Sequence, residues 1–251
     1  MWEETHGCNN QQGKTLALWL VLFLGMLLTY STQMFKLIRL RRSQGLSYQY
    51  LVLRTLGRLY ALCNVISYKA NSIHCCAKES VSGCLKGITA IVFMLIQFIL
   101  VWIIFVMFLA YFPKEKKVLG MVWRSKVFMS YMTLGVCFLS LMFTALLLPK
   151  SGTTLARVWI IMTGAFSTAC SVAKLIPQIY QTWRTKEIGA LSVTSLCLQT
   201  IGSTGAMTVL ILDNGFSAVV VWIAYFLCAI LELFLVLLCL VLKYSSFLNK
   251  K

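Results

Sequence analysis

Apolar residues in this chain come in long unbroken stretches, not in the one-face periodicity of a soluble helix. Six stretches are long enough to cross the roughly 30 Å hydrocarbon core of a bilayer as helices: Thr15 to Leu40, Gly87 to Phe112, Val127 to Leu148, Leu155 to Thr182, Leu191 to Leu212 and Phe216 to Leu242. Short strands of alternating polarity, which a membrane barrel needs, are absent from the sequence. The expected class is an all-α membrane protein. A seventh stretch, Ser47 to Lys69, is broken by Arg54 and Arg58, and hydropathy alone would discount it.

An internal repeat resolves that stretch. Shifted by 145 residues without a gap, QMFKLIRLRRSQGLSYQYLVLRTLG (Gln33 to Gly57) lies over QIYQTWRTKEIGALSVTSLCLQTIG (Gln178 to Gly202). Eight of the 25 positions are identical, among them Gln33/Gln178, Ser47/Ser192 and Gly57/Gly202. Each copy begins near the end of one apolar stretch, turns through a short basic loop and enters the next stretch at Leu-Ser. Ser47 and Ser192 are suited to cap the following helix, and Gly45 and Gly189 to make the turn before it. The second copy turns between two evident spans, so the first must as well, and Ser47 to Lys69 is expected to be a membrane helix. Two copies in one orientation require an odd number of helices each and a linker. The expected plan is seven transmembrane helices as two parallel three-helix bundles joined by a linker helix (3+1+3). Its parts are a lumenal tail (1–14), a first bundle (15–112), a basic loop with the linker helix (113–150), a second bundle (151–242) and a cytosolic tail (243–251).

Composition agrees with this class, since 59% hydrophobic and 12% charged residues among 251 cannot form an ordinary soluble domain. Charge then orients the chain. With seven spans, fourteen Lys and Arg residues fall on one side, in clusters such as Lys36 to Arg42 and Lys114 to Lys126, against six on the other. The positive-inside tendency places the basic loops and C-terminus in the cytosol and the N-terminus in the lumen. The net charge of +16 is thereby spent at membrane ends, against anionic lipid, and nucleic-acid binding is not expected. The first span is too long for a leader's apolar core and is expected to insert as an uncleaved anchor. Six of the ten cysteines fall in spans. The other four, Cys8, Cys75, Cys76 and Cys84, fall on the lumenal side, where they are either free or disulfide-bonded. Their spacing does not suit zinc, and no metal or cofactor is expected. Trp2, Trp19 and Trp123 stand near span ends, as interface anchors do.

The phrase PQIYQTWRTKEIGALS, Pro177 to Ser192, resembles the PQ-loop family of seven-helix membrane proteins, related in plan to the SWEET sugar carriers. In the first copy Gln33 remains while Thr32 stands in place of the proline. CLQTIGS, Cys197 to Ser203, is similar to a branch linked to phospholipid scrambling that has Gln-Thr-Pro-Gly there, with Ile201 at the proline position. The resemblance implies a transporter-like fold in a lysosomal, vacuolar, endosomal or Golgi membrane. Known members are proton-coupled amino-acid exporters, lipid scramblases or sorting receptors, and fold does not choose among these.

Candidate chemistry lies where spans carry polar groups. Pro177 removes a helical donor and frees the carbonyl near Ala173, for which Gln178 or a water is the expected partner. The bend is either a static kink or a hinge, and the resemblance favours a hinge involving Pro177, Gln178 and Gln33. Arg54 and Arg58 share one helix face. Arg54 lies close enough to the end of its span to snorkel to the surface, whereas Arg58, near the midplane, is expected to face a wet cavity or an acid. Glu232 is the one carboxyl deep in a span. It serves as an ion-pair partner of Arg58 or Lys174, as a protonated acid bonded to a neighbour, or as a proton carrier. Asp213, beside an Asn-Gly turn, reads more as a turn former than as a proton site. The repeat aligns Arg54 with Gln199, Arg58 with Ser203 and Thr29 with Lys174, so a pathway along the axis would be richer in cations than in acids. That favours a carboxylate or phosphate ligand. The expected function is transport of a small carboxylate-bearing solute, with a lipid scramblase or a non-transporting receptor as alternatives. No nucleophile-base pair or phosphate loop indicates an enzyme.

Overall fold

A computed structural model describes residues 14–41, 43, 45–70, 73, 81–112, 117–150, 152–186, 189–214 and 219–248. They are almost wholly helical: α1 (Lys14–Leu40), α2 (Tyr48–Tyr68), α3 (Val81–Ala110), α4 (Lys117–Leu147), α5 (Thr154–Ala173), α6 (Leu175–Thr185), α7 (Val193–Asn214) and α8 (Val219–Leu248), with a short 3₁₀ turn at Leu148–Lys150. Five stretches among the described residues are long and apolar enough to cross a membrane: Val21–Leu40, Ile88–Ala110, Arg124–Leu147, Thr154–Thr185 and Phe226–Tyr244. At 21 residues α2 has the length to cross, about 1.5 Å per residue, but Arg54 and Arg58 keep it out of that set.

The expected helix starts hold in detail. Ser47 is extended (φ −75°, ψ 130°) and its hydroxyl accepts from Tyr50 N at 3.4 Å, while Ser192 accepts from Ser195 N at 3.2 Å. Gly45 (φ 88°) and Gly189 (φ 49°) take the left-handed backbone that their turns need and that a side chain disfavours. Three spans differ from expectation. α3 and α4 begin at Val81 and Lys117, upstream of their apolar runs, because a helix need not stop where the hydrocarbon does. The stretch Leu155 to Thr182 divides at Lys174 into α5 and α6, three residues before Pro177, which offers no N–H to the carbonyl of Ala173. α1 runs unbroken through the equivalent position, where Thr32 bonds back to the Thr29 carbonyl at 3.0 Å.

α3 packs on both α1 and α2, and α8 on both α5–α6 and α7. Between copies α2 meets α5 and α6, α1 meets α7, and α4 lies along α2. The buried core concentrates near the two Leu-Ser loops and contains the repeat pairs Leu46/Leu191 and Leu51/Leu196. Side chains such as Tyr131, Leu139 and Ile161 stay exposed, as a face toward lipid tails requires.

The two seams between copies are equivalent by sequence and unequal in structure. Along α2–α5, Asn64 Nδ2 donates to the Ile160 carbonyl at 2.7 Å and Ser167 Oγ to the Gly57 carbonyl at 3.1 Å. Gly57 sits so close that a Cβ there would lie 3.1 Å from Cβ of Cys170. The equivalent glycine on the α1–α7 seam, Gly202, has nothing within 4 Å of a Cβ among the described residues. Gly57→Leu is therefore expected to overpack α2–α5 and cost about 1–3 kcal/mol, read as a lowered unfolding temperature in detergent. Gly202→Leu should leave that temperature unchanged or raise it slightly.

Candidate functional site

The two repeat glutamines face each other's loops. Gln33, on α1, donates from Nε2 to the Ala190 carbonyl at 3.0 Å and accepts at Oε1 from Ser192 N at 2.9 Å. Gln178, on α6, donates to the Gly45 carbonyl at 2.9 Å and accepts from Ser47 N at 2.8 Å. All four partners are related by the same 145-residue shift. A second pair extends the pattern: Lys36 Nζ donates to the Leu191 carbonyl, and Gln181 Nε2 to the Leu46 carbonyl at 3.5 Å.

Capping explains why glutamine suits this place. The N–H of an N-cap residue is often held by a Glu or Gln three residues into the same helix. Here those positions are Tyr50 and Ser195, which cannot reach back in that way. The glutamine of the opposite copy takes the role, and its amide offers one acceptor and one donor to a loop that presents one N–H and one C=O. The expected bond from Gln178 to the carbonyl freed by Pro177 is not made. Its nitrogen goes to Gly45 and to Thr182 Oγ1 at 3.2 Å, because the loop of the first copy claims it. Both glutamines are buried.

Above the clasps lies a crevice on the repeat axis, lined in part by Leu46/Leu191, Tyr50/Ser195, Leu51/Leu196 and Arg54/Gln199. It has no room for a water molecule. The molecule is thus closed at the loop end.

The charged residues lie farther along the axis. Arg54 does not snorkel: it is 5% exposed, bonds Tyr50 Oη at 2.8 Å and lies over the Tyr30 ring, 4.9 Å from its centre. Inward-facing aromatics hold the guanidinium by hydrogen bonding and cation–π attraction, so reaching the surface would forfeit both. Its Nε has no acceptor among the described residues. Arg58, one turn on, is half-buried. Lys174, at the α5–α6 break, is buried and forms no side-chain hydrogen bond among the described residues. Glu232, on α8, is 2% exposed and accepts from Ser203 Oγ at 2.9 Å. It lies within Coulombic reach of Lys174, Arg54 and Tyr50, yet no cation forms an ion pair with it among the described residues. Of the expected partners, the neighbouring hydroxyl is the one in contact.

Gln199 turns to its own helix, donating to the carbonyl and hydroxyl of Ser195. Asp213 stands in the last turn of α7, and its side chain lies outside the described residues, as do those of Trp2, Trp19 and Trp123. Cys84 is disulfide-bonded. Cys8, Cys75 and Cys76 lie outside the described residues, while the six cysteines of the spans are free. Sequence reasoning missed Tyr30, Tyr50, Lys36 and Gln181. Lys36 and Gln181 were detectable only as aligned positions three residues after the glutamines, and alignment does not tell that they meet the opposite loop.

Residues 159–219, which include Pro177, Gln178, Gln199 and Ser203, match the family model of the PQ loop repeat. The chain is also similar to the uncharacterized protein C4C5.03 of Schizosaccharomyces pombe, with 28% identity over 208 residues. That match covers 72% of this chain and 65% of the relative, so the chain spans somewhat less than two thirds of the relative's length.

Replacing either glutamine by leucine leaves a buried loop N–H and C=O without partners. Gln33→Leu and Gln178→Leu are each expected to cost about 1–3 kcal/mol per unsatisfied group, measured by thermal or denaturant unfolding in detergent. Their effects should be similar in size, and Gln33→Met, which has neither an amide donor nor a carbonyl acceptor, should not restore stability.

Proposed function

We propose that this PQ-loop repeat protein, a multi-pass membrane protein, is a carrier for a small anionic solute, an amino acid or other carboxylate-bearing metabolite, moved by alternating access between its two repeat bundles. The observation that carries the reading is the imbalance of buried charge. Arg54 and Lys174 are buried and Arg58 half-buried, Glu232 is the one buried acid among the described residues, and Arg54 Nε lacks an acceptor among them. Buried charge is costly unless compensated, so a site with surplus cations favours a bound anion. A carboxylate there would gain charge-assisted hydrogen bonds from Lys174 and the arginines.

In this reading the chain follows the 3+1+3 plan, with the basic loops cytosolic and the clasped loop end forming a closed cytosolic gate. The host membrane is lysosomal, vacuolar, endosomal or Golgi. Opening requires the clasps of Gln33 and Gln178 to separate, and the break at Lys174 beside Pro177 lets the second bundle bend while α1 stays straight. Lys174 then joins site and hinge, standing at the break and within Coulombic reach of Glu232. Glu232, held by Ser203, would be the group that carries a proton with the solute.

Reconstitution into proteoliposomes with uptake of labelled amino acids and dicarboxylates tests this. Lys174→Met should weaken anion uptake by about tenfold or more, the scale of one charged hydrogen bond. Glu232→Gln should retain exchange but lose the response to an imposed proton gradient. Absence of uptake for every anion, with folded protein in the vesicles, would leave the receptor alternative standing.

A further inference from the structure

Two tyrosines flank the guanidinium of Arg54, and only one of them is spent on it. Nη1 of Arg54 donates to Tyr50 Oη at 2.8 Å, while Nε is buried without an acceptor among the described residues. The bond to Tyr50 thus fixes the guanidinium and leaves its Nε edge unused, the edge through which arginine can grip a carboxylate. Arg54 lines the crevice on the repeat axis, which has no room for a water molecule, so water cannot stand in for the acceptor while the loop end is closed.

Tyr30, on α1, is the second tyrosine. Its ring centre lies 4.9 Å from Cζ of Arg54, the side chain is 4% exposed, and its hydroxyl is buried without a hydrogen-bond partner among the described residues. The charged groups within Coulombic reach of that hydroxyl are Arg54 and Arg58 of α2 and Lys174 at the α5–α6 break. Arginine and protonated lysine carry donors only, so none of the three can accept the phenolic proton. Two buried donors, Oη–H of Tyr30 and Nε–H of Arg54, therefore belong to one cluster that supplies no acceptor for either. Burying one unpaired donor is costly; two together, among three cations, mark a place that an anion completes.

We propose that Tyr30 is a solute-binding residue whose hydroxyl donates to the same carboxylate that accepts from Arg54 Nε. This rests on the anion-carrier reading above and adds to it a neutral donor, which gives the carboxylate a direction without adding to the surplus positive charge. The two phenols divide the work: Tyr50 accepts from Nη1 and positions the guanidinium, whereas Tyr30 keeps its proton for the solute. At the positions aligned with Tyr30, Tyr50 and Arg54 the second copy has Leu175, Ser195 and Gln199, so the arrangement belongs to the first copy alone.

Tyr30→Phe tests this, because it keeps the ring over the guanidinium and removes only the hydroxyl. The full-length protein is reconstituted in proteoliposomes with labelled succinate and labelled glutamate as probes, and its unfolding temperature is measured in detergent without either. Tyr30→Phe should raise KM by about tenfold or more for whichever probe the wild type takes up, the scale of one hydrogen bond to a charged group, with little change in maximal rate. Its unfolding temperature without solute should match or exceed the wild type's, since a hydroxyl with no partner stabilises nothing. Tyr50→Phe should unfold at a lower temperature, because it breaks a bond already made. A lowered unfolding temperature in Tyr30→Phe, failure to fold included, would mean that the hydroxyl is already paired within the protein and would overturn the assignment. So would an unchanged KM: if Lys174→Met loses uptake while Tyr30→Phe does not, the carrier stands and Tyr30 contributes only its ring. A wild type that takes up neither probe removes the carrier for these solutes and the assignment with it.

Discussion

Two side-chain amides hold the closed end of this protein together. Gln33 and Gln178 each supply the donor and acceptor that the opposite copy's loop lacks, and so each repeat completes the helix start of the other. An individual neutral hydrogen bond contributes only about 1 kcal/mol net. What makes these bonds decisive is burial: with water excluded, a loop N–H or C=O left alone is far more costly than the bond is stabilising. The core pairs Leu46/Leu191 and Leu51/Leu196 pack beneath the clasps, so polar satisfaction and apolar burial select the same arrangement.

Symmetry of sequence does not impose symmetry of shape. Differences at aligned positions break it, among them Thr32 for Pro177, Thr29 for Lys174, and Gln199 for Arg54. The first two fall on the first span of each copy and leave α1 continuous where α5 and α6 part. The third places a guanidinium between Tyr30 and Tyr50 on one side of the axis, where the other side has an amide bonded to its own helix. Gly25 opposite Gly202 then leaves one seam without the contact that Cys170 makes with Gly57. One seam between the copies is thus tight and the other loose among the described residues.

Much of the plan was legible along the chain because membrane helices are local objects. Twenty apolar residues must bury their own backbone polarity, so their span can be read from hydropathy alone. The repeat added α2, which hydropathy discounts, and its capping serines and turn glycines behave as their residue types dictate. Buried charge was legible in kind but not in partner. Glu232 is recognisable as an acid in a span, whereas its choice of Ser203 over Arg58 or Lys174 depends on how α7 and α8 cross.

The sequence by itself determined an all-α membrane chain, its repeat, its helix starts and the break near Pro177, since each depends on hydropathy or on backbone chemistry within a turn or two. Only the tertiary structure decided where Gln178 points. From the sequence it belonged to its own proline's orphaned carbonyl; in the fold it serves a loop more than 130 residues away. The same holds for the open seam, because whether a glycine is covered depends on what the opposite helix presents, and that is a property of two separated segments meeting in space.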